Sequence, residues 1–150
     1  MSSNAIPAYG TLLKRSGATA GTTPSYSTLG EVKNISGPST EVSTIDVTTH
    51  SSAASGNYRE FIPSLINPGT IDVDMNWVPS DSSHASLWTD LQNRTKRDYQ
   101  ILTPPASSGA SANITFQAYV TGMPKEFPTD DVMSSKLSLQ ITGALSITVG

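Results

Sequence analysis

Apolar and polar side chains alternate along three stretches of this chain, strictly in the first, and a period of two points those stretches to sheet. From Thr70 to Trp77 the odd positions Ile71, Val73, Met75 and Trp77 are apolar, while Thr70, Asp72, Asp74 and Asn76 are polar. Near the end of the sequence Leu137, Leu139, Ile141, Leu145, Ile147 and Val149 share one parity with Gly143 among them. Ser138, Gln140, Thr142, Ser146 and Thr148 share the other. Ile114, Phe116, Ala118 and Val120 repeat the pattern against Thr115, Gln117, Tyr119 and Thr121. Successive side chains of an extended strand leave opposite faces, so each segment predicts a strand with one dry and one wet face. That is the habit of antiparallel sheets.

Weaker signals fill in the rest. Thr28 to Ser36 predicts a further strand, with Leu29 and Val32 out of phase and a bulge expected at Gly30; Ile45 and Val47 alternate with Thr44, Asp46 and Thr48 in a short one. YREFIPSLINPG, from Tyr58 to Gly69, is apolar but interrupted by Pro63 and Pro68, which predicts an extended run ending in a turn. THSSAASGN, from Thr49 to Asn57, offers no apolar side chain larger than alanine and predicts a long loop over about residues 49–58. The first 27 residues are rich in Gly, Ser, Thr and Pro and predict an extended N-terminal arm and loop, residues 1–27, with one apolar knot at Ile6, Tyr9, Leu12 and Leu13. A single helix is expected over about residues 81–93: it follows Pro79, Ser80 or Asp81 can cap it, and His84, Leu87, Trp88 and Leu91 recur at helical spacing. The order of elements predicts a mainly β fold, a β-sandwich or partly closed barrel of antiparallel strands with one flanking α-helix.

Length and composition narrow the rest. At 150 residues the chain suits one domain, residues 1–150. Ser (23) and Thr (18) exceed a quarter of the sequence while only 14% is charged and 36% hydrophobic. A chain so poor in apolar surface gains little from burial to offset chain entropy, which predicts that part of its buried surface comes from neighbouring copies. With no cysteine, disulfides and thiolate metal sites are unavailable. No basic, apolar leader opens the sequence and no run reaches the roughly 18 apolar residues of a spanning helix, which predicts a soluble, untargeted protein without membrane partners. A net charge of −3 and a pI near 5.2 argue against tight nucleic-acid binding. The one basic cluster, Arg94, Lys96 and Arg97, is expected in a solvated loop after the helix.

A catalytic constellation is hard to assemble from two histidines, no cysteine and twelve carboxylates. His50 has Asp46 and Ser51 nearby in sequence, but a triad needs a rigid scaffold and an oxyanion hole, and this stretch is read as loop. His84 is expected at the edge of the helix's apolar side. Asp72 and Asp74 share a strand face, where plain solvation outweighs a metal or glycoside site because no third ligand stands near them. Asp130 and Asp131 fit a turn. Catalytic, metal-binding and cofactor-binding residues are therefore all read as none, with no cofactor expected.

Long two-faced strands, a long loop and an arm-like terminus are parts for contacts between copies, and heterologous contacts that repeat give rings and tubes. Specific strings sharpen this. GTLLKRSG, IDVTTHSS and YREFIPSLINPGTIDVDMNWVPSDSSHASL resemble the lambda-like tail tube protein family of long-tailed phages. The family's Gly-Thr-Leu-Leu opening falls at Gly10 to Leu13, its Asp-Val-Thr strand end at Asp46 to Thr48, its Arg-Glu-Phe-Ile-Pro stretch at Arg59 to Pro63, and its helix entry at Pro79 to His84. The late FxAxVTGxxxxxPxDD pattern runs from Phe116 through Gly122 to Asp130 and Asp131. The resemblance spans nearly the whole chain.

It implies a structural subunit, not an enzyme. Hexameric rings would stack into a hollow tube whose inner strands form a continuous β-lined lumen, through which double-stranded DNA passes without specific binding. Implied partners are other copies of the chain, the tail tip or initiator, the tape measure and the tail terminator; the implied location is the virion tail, after assembly in the host cytoplasm. The loop Thr49, His50, Ser51, Ser52, Ala53, Ala54, Ser55, Gly56, Asn57 and Tyr58 would join ring to ring, and Ile6, Tyr9, Leu12 and Leu13 would make arm contacts. Asp72, Asp74, Ser138, Gln140 and Thr142 are the candidates to line the lumen. Because the sequence stops at Gly150 just after its last strand, no C-terminal immunoglobulin-like domain is expected. Two rival readings are a small carbohydrate- or peptide-binding module, with Tyr58, Trp77, Trp88 and Tyr99 as an aromatic platform, and the tube protein of a contractile injection system.

Overall fold

A computed structural model of the chain describes residues 5–19, 21, 23–50, 56–106 and 109–149. Its elements are β1 (Leu12–Thr19), β2 (Tyr26–Thr28), β3 (Val32–Ser36), β4 (Glu41–Asp46), β5 (Phe61–Asn67), β6 (Thr70–Asn76), α1 (Ser82–Asn93), β7 (Arg97–Leu102), β8 (Ala112–Gly122), β9 (Lys125–Glu126) and β10 (Ser134–Val149). Eight strands form one antiparallel sheet in the order β2-β1-β7-β8-β10-β6-β3, with β9 also paired to β10; β4 and β5 form a separate two-stranded sheet.

The sheet is rolled, and its connectivity shows why. β2 and β3 lie at opposite ends of the strand order, yet only residues 29–31 separate them in sequence. That link is held at both ends: the Leu29 amide donates to the Leu13 carbonyl at 2.9 Å, and the Asn76 amide to the Glu31 carbonyl at 3.0 Å. The two sheet edges are therefore drawn together over one core. No ladder joins β2 to β3 among the described residues, so the roll stays sandwich-like and is not a closed barrel. The segment from Thr28 to Ser36, expected as one bulged strand, is thus two strands around a turn, in which Glu31 takes a positive φ of 63°.

The alternation does what it predicts in the central strands. Register places Leu139 opposite Ile71 and Leu137 opposite Val73, while Val120 and Ala118 of β8 face Leu139 and Ile141 from the other side. All of these are buried, together with Met75, Phe116, Ile101 and Leu13. Each such aliphatic side chain contributes about 1.5–3 kcal/mol by leaving water.

The helix begins where its cap allows. The Asp81 carboxylate accepts the Ser83 amide at 2.9 Å, and the helix ends with Arg94 in the left-handed region at φ 55°, its amide returned to the Asp90 carbonyl. Leu87 and His84 face the core. His84 is 2% exposed, more deeply placed than the helix-edge position expected of it. The Val78 amide donates to its Nδ1 at 3.1 Å, so Nδ1 must be the acceptor, and Nε2 is then the donor to the Gly30 carbonyl 3.0 Å away. The ring clamps the start of α1 to the β2–β3 link.

Two expectations need correction. The N-terminal arm does not reach residue 27, because Leu12–Thr19 is an interior strand of the main sheet, paired on both sides by β2 and β7, and Leu13 is fully buried. The basic cluster is not simply a solvated loop either. Arg97 opens β7, and its Nε donates to Asp90 Oδ1 at 3.1 Å, while Arg15 Nε donates to Asp90 Oδ2 at 2.7 Å. Asp90 is 1% exposed and sits between the two guanidiniums, tying α1 to β1 and β7.

Candidate assembly surfaces

Beyond the rolled sheet, the β4–β5 hairpin stands apart with almost nothing of its own subunit against it. Every residue of β4 is exposed, and in β5 only Ser64 is partly covered. The sequence nevertheless equips it with large apolar side chains. Val42 stands opposite Ile66 and Ile45 opposite Ile62; Leu65 is 83% exposed, Ile66 64% and Phe61 54%. Pro63 stands opposite Thr44, next to a register slip between Val42 and Thr44, and in a sheet of only two strands it occupies an edge strand, where proline is tolerated. Two-stranded hairpins are marginal alone in water, and soluble monomers rarely expose contiguous apolar patches of this kind. A surface so built needs covering.

The segment expected as a loop over residues 49–58 lies in sequence between β4 and β5. Thr49, His50, Gly56, Asn57 and Tyr58 are exposed there; Ser51, Ser52, Ala53, Ala54 and Ser55 lie outside the described residues. At its base Asp46 accepts the Thr48 amide at 2.9 Å, and bonds from Thr48 hold the Asp46 carboxyl below its ordinary range. Tyr58 is 75% exposed. Asp46 is thus occupied by its own turn, and Ser51 lies outside the described residues.

A second apolar surface lies at the far end of β10. The dry face expected to run unbroken to Val149 ends at Ile141. Gly143 takes φ 76° and the register with β8 shifts between Thr142 and Ser146. Beyond this bulge Leu145 is half-buried, whereas Ile147 and Val149 are 63% and 67% exposed. On that stretch, among the described residues, β10 pairs only with β8, since its ladder with β6 ends at Gln140 opposite Thr70.

The polar candidates Asp72, Asp74, Ser138, Gln140 and Thr142 lie together on the wet face of the sheet, opposite the core. Ser138 is the register partner of Asp72 and donates its hydroxyl to Asp72 Oδ1 at 3.1 Å; Gln140 faces Thr70 on one side and Tyr119 on the other, and Thr142 faces Gln117. Lys136, exposed and opposite Asp74, belongs to the same face, one position before the alternation that begins at Leu137. Of the arm residues, Ile6 and Tyr9 are exposed at 48% and 94%, Leu12 is 38% exposed, and Leu13 belongs to the core of its own subunit.

The aromatic platform does not form. Tyr99 is fully buried, stacked on Phe116 with ring centroids 5.9 Å apart, and its hydroxyl is pushed well above the ordinary tyrosine pKa by burial and by the charge of Asp90. Trp77 and Trp88 are bridged by Lys125, whose Nζ lies 5.3 Å and 4.4 Å from their ring centroids, with Phe127 edge-on to Trp77. Tyr58 is on the hairpin. Asp131 caps its own turn, accepting the Val132 amide at 2.8 Å. Among the described residues no group of three or more histidines and carboxylates could hold a metal ion, and no helix is long and apolar enough to cross a membrane.

The sequence model for the lambda phage tail tube protein matches residues 16–148, from within β1 almost to the end of β10. The chain belongs to the lambda phage tail tube protein family. It is a structural subunit of a phage tail tube. Among curated proteins none matches it in sequence. Among solved structures, the tail of an empty gene transfer agent particle shares the fold at 18% identity and a TM-score of 0.71, covering 96% of this chain and 99% of that one. The SPP1 tail tube aligns at 12% identity and a TM-score of 0.68, over 96% of this chain and 80% of that one. The sheath-tube complex of the PVC extracellular contractile injection system aligns at 14% identity and a TM-score of 0.70, over 97% and 93%. The fold is therefore shared by tail tubes and by a contractile injection system, and it is the family match that places this tail tube protein with lambda.

Proposed function

We propose that the subunit polymerises as stacked hexameric rings into a hollow tube that conducts double-stranded DNA during ejection, and that it performs no covalent chemistry. The observation that carries this is the β4–β5 hairpin, an arm rich in exposed leucine, isoleucine and phenylalanine that its own subunit leaves uncovered. In the assembly a neighbouring copy covers the hairpin, its tip at residues 49–58 reaches the next ring, and Ile6 and Tyr9 add contacts. The tail tip or initiator and the tail terminator meet the ends of the stack, and the tape measure occupies its interior before DNA does. Assembly takes place in the host cytoplasm and ends in the virion. The whole chain, residues 1–150, acts as one tube domain.

The wet face carrying Asp72, Asp74, Ser138, Gln140 and Thr142 lines the lumen. A lining of hydroxyls, amides and carboxylates offers DNA phosphates hydration without clustered cations to hold them.

Electron microscopy of the purified protein over a concentration series, beside size-exclusion chromatography, tests the assembly. Rings or tubes are expected from the parent chain. Leu65→Asp with Ile66→Asp should give a monomer of unchanged circular dichroism, because both side chains lie outside the core and are mostly exposed. Tubes from the double variant as abundant as those of the parent would refute the role of the hairpin.

A further inference from the structure

The hairpin's direction comes chiefly from its neck, because among the described residues β4 and β5 pair with each other and with no strand of the main sheet. β3 runs into β4 through residues 37–40, and β5 into β6 through residues 68–69. Since β3 pairs with β6 and β4 with β5, the four strands are one long two-stranded ribbon, half in the main sheet and half projecting, broken at this neck. Both chains place a glycine at the break. Gly37 has φ 114° and Gly69 φ 85°, in the region other residues rarely adopt.

The glycines also sit where the two backbones press together. A Cβ on Gly37 would lie 2.6 Å from the Thr70 carbonyl oxygen and 3.3 Å from Ile71 Cα, and one on Gly69 would run into the Ser39 carbonyl, 2.6 Å from its carbon. The obstacle in each case is backbone of the opposite chain, which cannot turn aside as a side chain can. Hydrogen bonds lock the crossing. The Gly69 carbonyl accepts both the Ile141 amide at 3.2 Å and Gln140 Nε2 at 3.1 Å, its amide donates to Asn67 Oδ1 at 3.0 Å, and Thr40 Oγ1 donates to the Pro68 carbonyl at 3.2 Å. The neck is thereby bolted to β10 just before the bulge at Gly143.

We propose that Gly37 and Gly69 are positioning residues for assembly: their crossing aims the apolar hairpin at a second copy of this chain before that copy arrives. This rests on the tube reading above. An arm already held in its bound direction gives up less freedom on association than a swinging one, so rings form from a smaller gain in contact.

The chain has no cysteine, so paired spin labels at Leu65→Cys on the hairpin and Thr89→Cys on α1 are unambiguous. Pulsed dipolar distances measured on the dilute, unassembled protein should give one narrow distribution. Gly69→Ala and Gly37→Ala should shift or broaden it and abolish rings in the unlabelled chain. Gly109→Ala is the control, since Gly109 has φ 87° but nothing within 4 Å of where its Cβ would lie, so it tests the backbone conformation without the crossing; it should leave both readouts unchanged. A broad distribution in the parent overturns the proposal even if no variant folds. So do folded Gly69→Ala subunits that keep the parent's distance or assemble as it does. A parent chain that never forms rings counts against the tube reading, and the distance distribution still decides whether the hairpin is aimed.

Discussion

Asp90 carries a negative charge into the interior, and its two arginine partners make that tolerable. Its register on α1 faces Arg15 of β1, 75 positions away in sequence, and Arg97 of β7, whose Nη1 also donates to the Gly17 carbonyl at 2.7 Å. Removing one partner of a buried pair costs far more than the pair's net worth, because the other charge is left without compensation. Asp90→Ala should therefore destabilise the subunit by about 3–5 kcal/mol. In a chain of this size that corresponds to a fall of roughly 10 °C in the thermal midpoint. A calorimetric midpoint within a degree or two of the parent's would show that Arg15 and Arg97 find water instead. None of this was legible in the sequence. Arg15 occupies a dry-face position of β1, so a charge broke the alternation that would have revealed the strand, and Leu12 to Thr19 read as arm. His84 was legible as a residue on the helix's apolar side, but its two backbone partners, Val78 and Gly30, depend on a fold the local sequence does not specify.

Elements whose faces both answer to the same subunit were the legible ones. β6, β8 and the first half of β10 alternate because one side packs on the core, and α1 shows its spacing because Leu87 and His84 do. Of the hairpin strands, β4 shows only the short alternation around Ile45 and β5 shows none, because neither strand is packed on the core, so apolar residues accumulate without alternation, as in FIPSLI. The second half of β10 keeps its period but loses its meaning after Gly143, where no cue in the alternation marks the change from core to surface. The helix start was legible down to two candidate caps, Ser80 and Asp81, of which Asp81 is the cap, and it supplies a pH test. The Ser83 side chain and amide, in that order, hold the Asp81 carboxyl below its ordinary range. A carboxyl whose pKa is lowered by folding contributes stability that is present above its unfolded value and lost as pH falls through the lowered one. Asp81→Ala should cost about 1 kcal/mol at neutral pH as a lost cap. The gap between variant and parent should close as pH falls below about 4, the ordinary carboxylate value. Denaturant melts at neutral and acidic pH read it; a gap that stays constant would mean the helix start is held by His84 and packing, not by the carboxylate.

At the scale of the whole molecule, the proposed tube sorts the surfaces by what each must meet. The apolar hairpin meets protein, and the wet face of β6, β10 and β8 meets a polyanion that has to move past it. Those requirements are opposed: burial strengthens contacts that should last, whereas any clustered cation on the lumen side would neutralise phosphates, release counterions and hold the DNA in place. The face carries Asp72 and Asp74 with Lys136 opposite Asp74, so its cation is set directly against a carboxylate. Replacing both carboxylates, Asp72→Lys with Asp74→Lys, converts two negative charges per subunit into positive ones beside an existing lysine, and every subunit of a ring repeats the change. Neither side chain is in the core, so the rings should still form, which keeps the test on transport. Ejection through such tubes should be slower than through the parent at low salt and recover as salt is raised, since attraction built on counterion release weakens steeply with ionic strength. Single-particle ejection rates over a salt series measure this. Equal rates at every salt concentration would mean either that this face does not line the lumen or that DNA never approaches it closely. Tubes from Ile147→Lys with Val149→Lys separate the two, because they move the charge to the exposed end of β10: slowed ejection there and not at Asp72 and Asp74 would assign the lumen to that end of the strand.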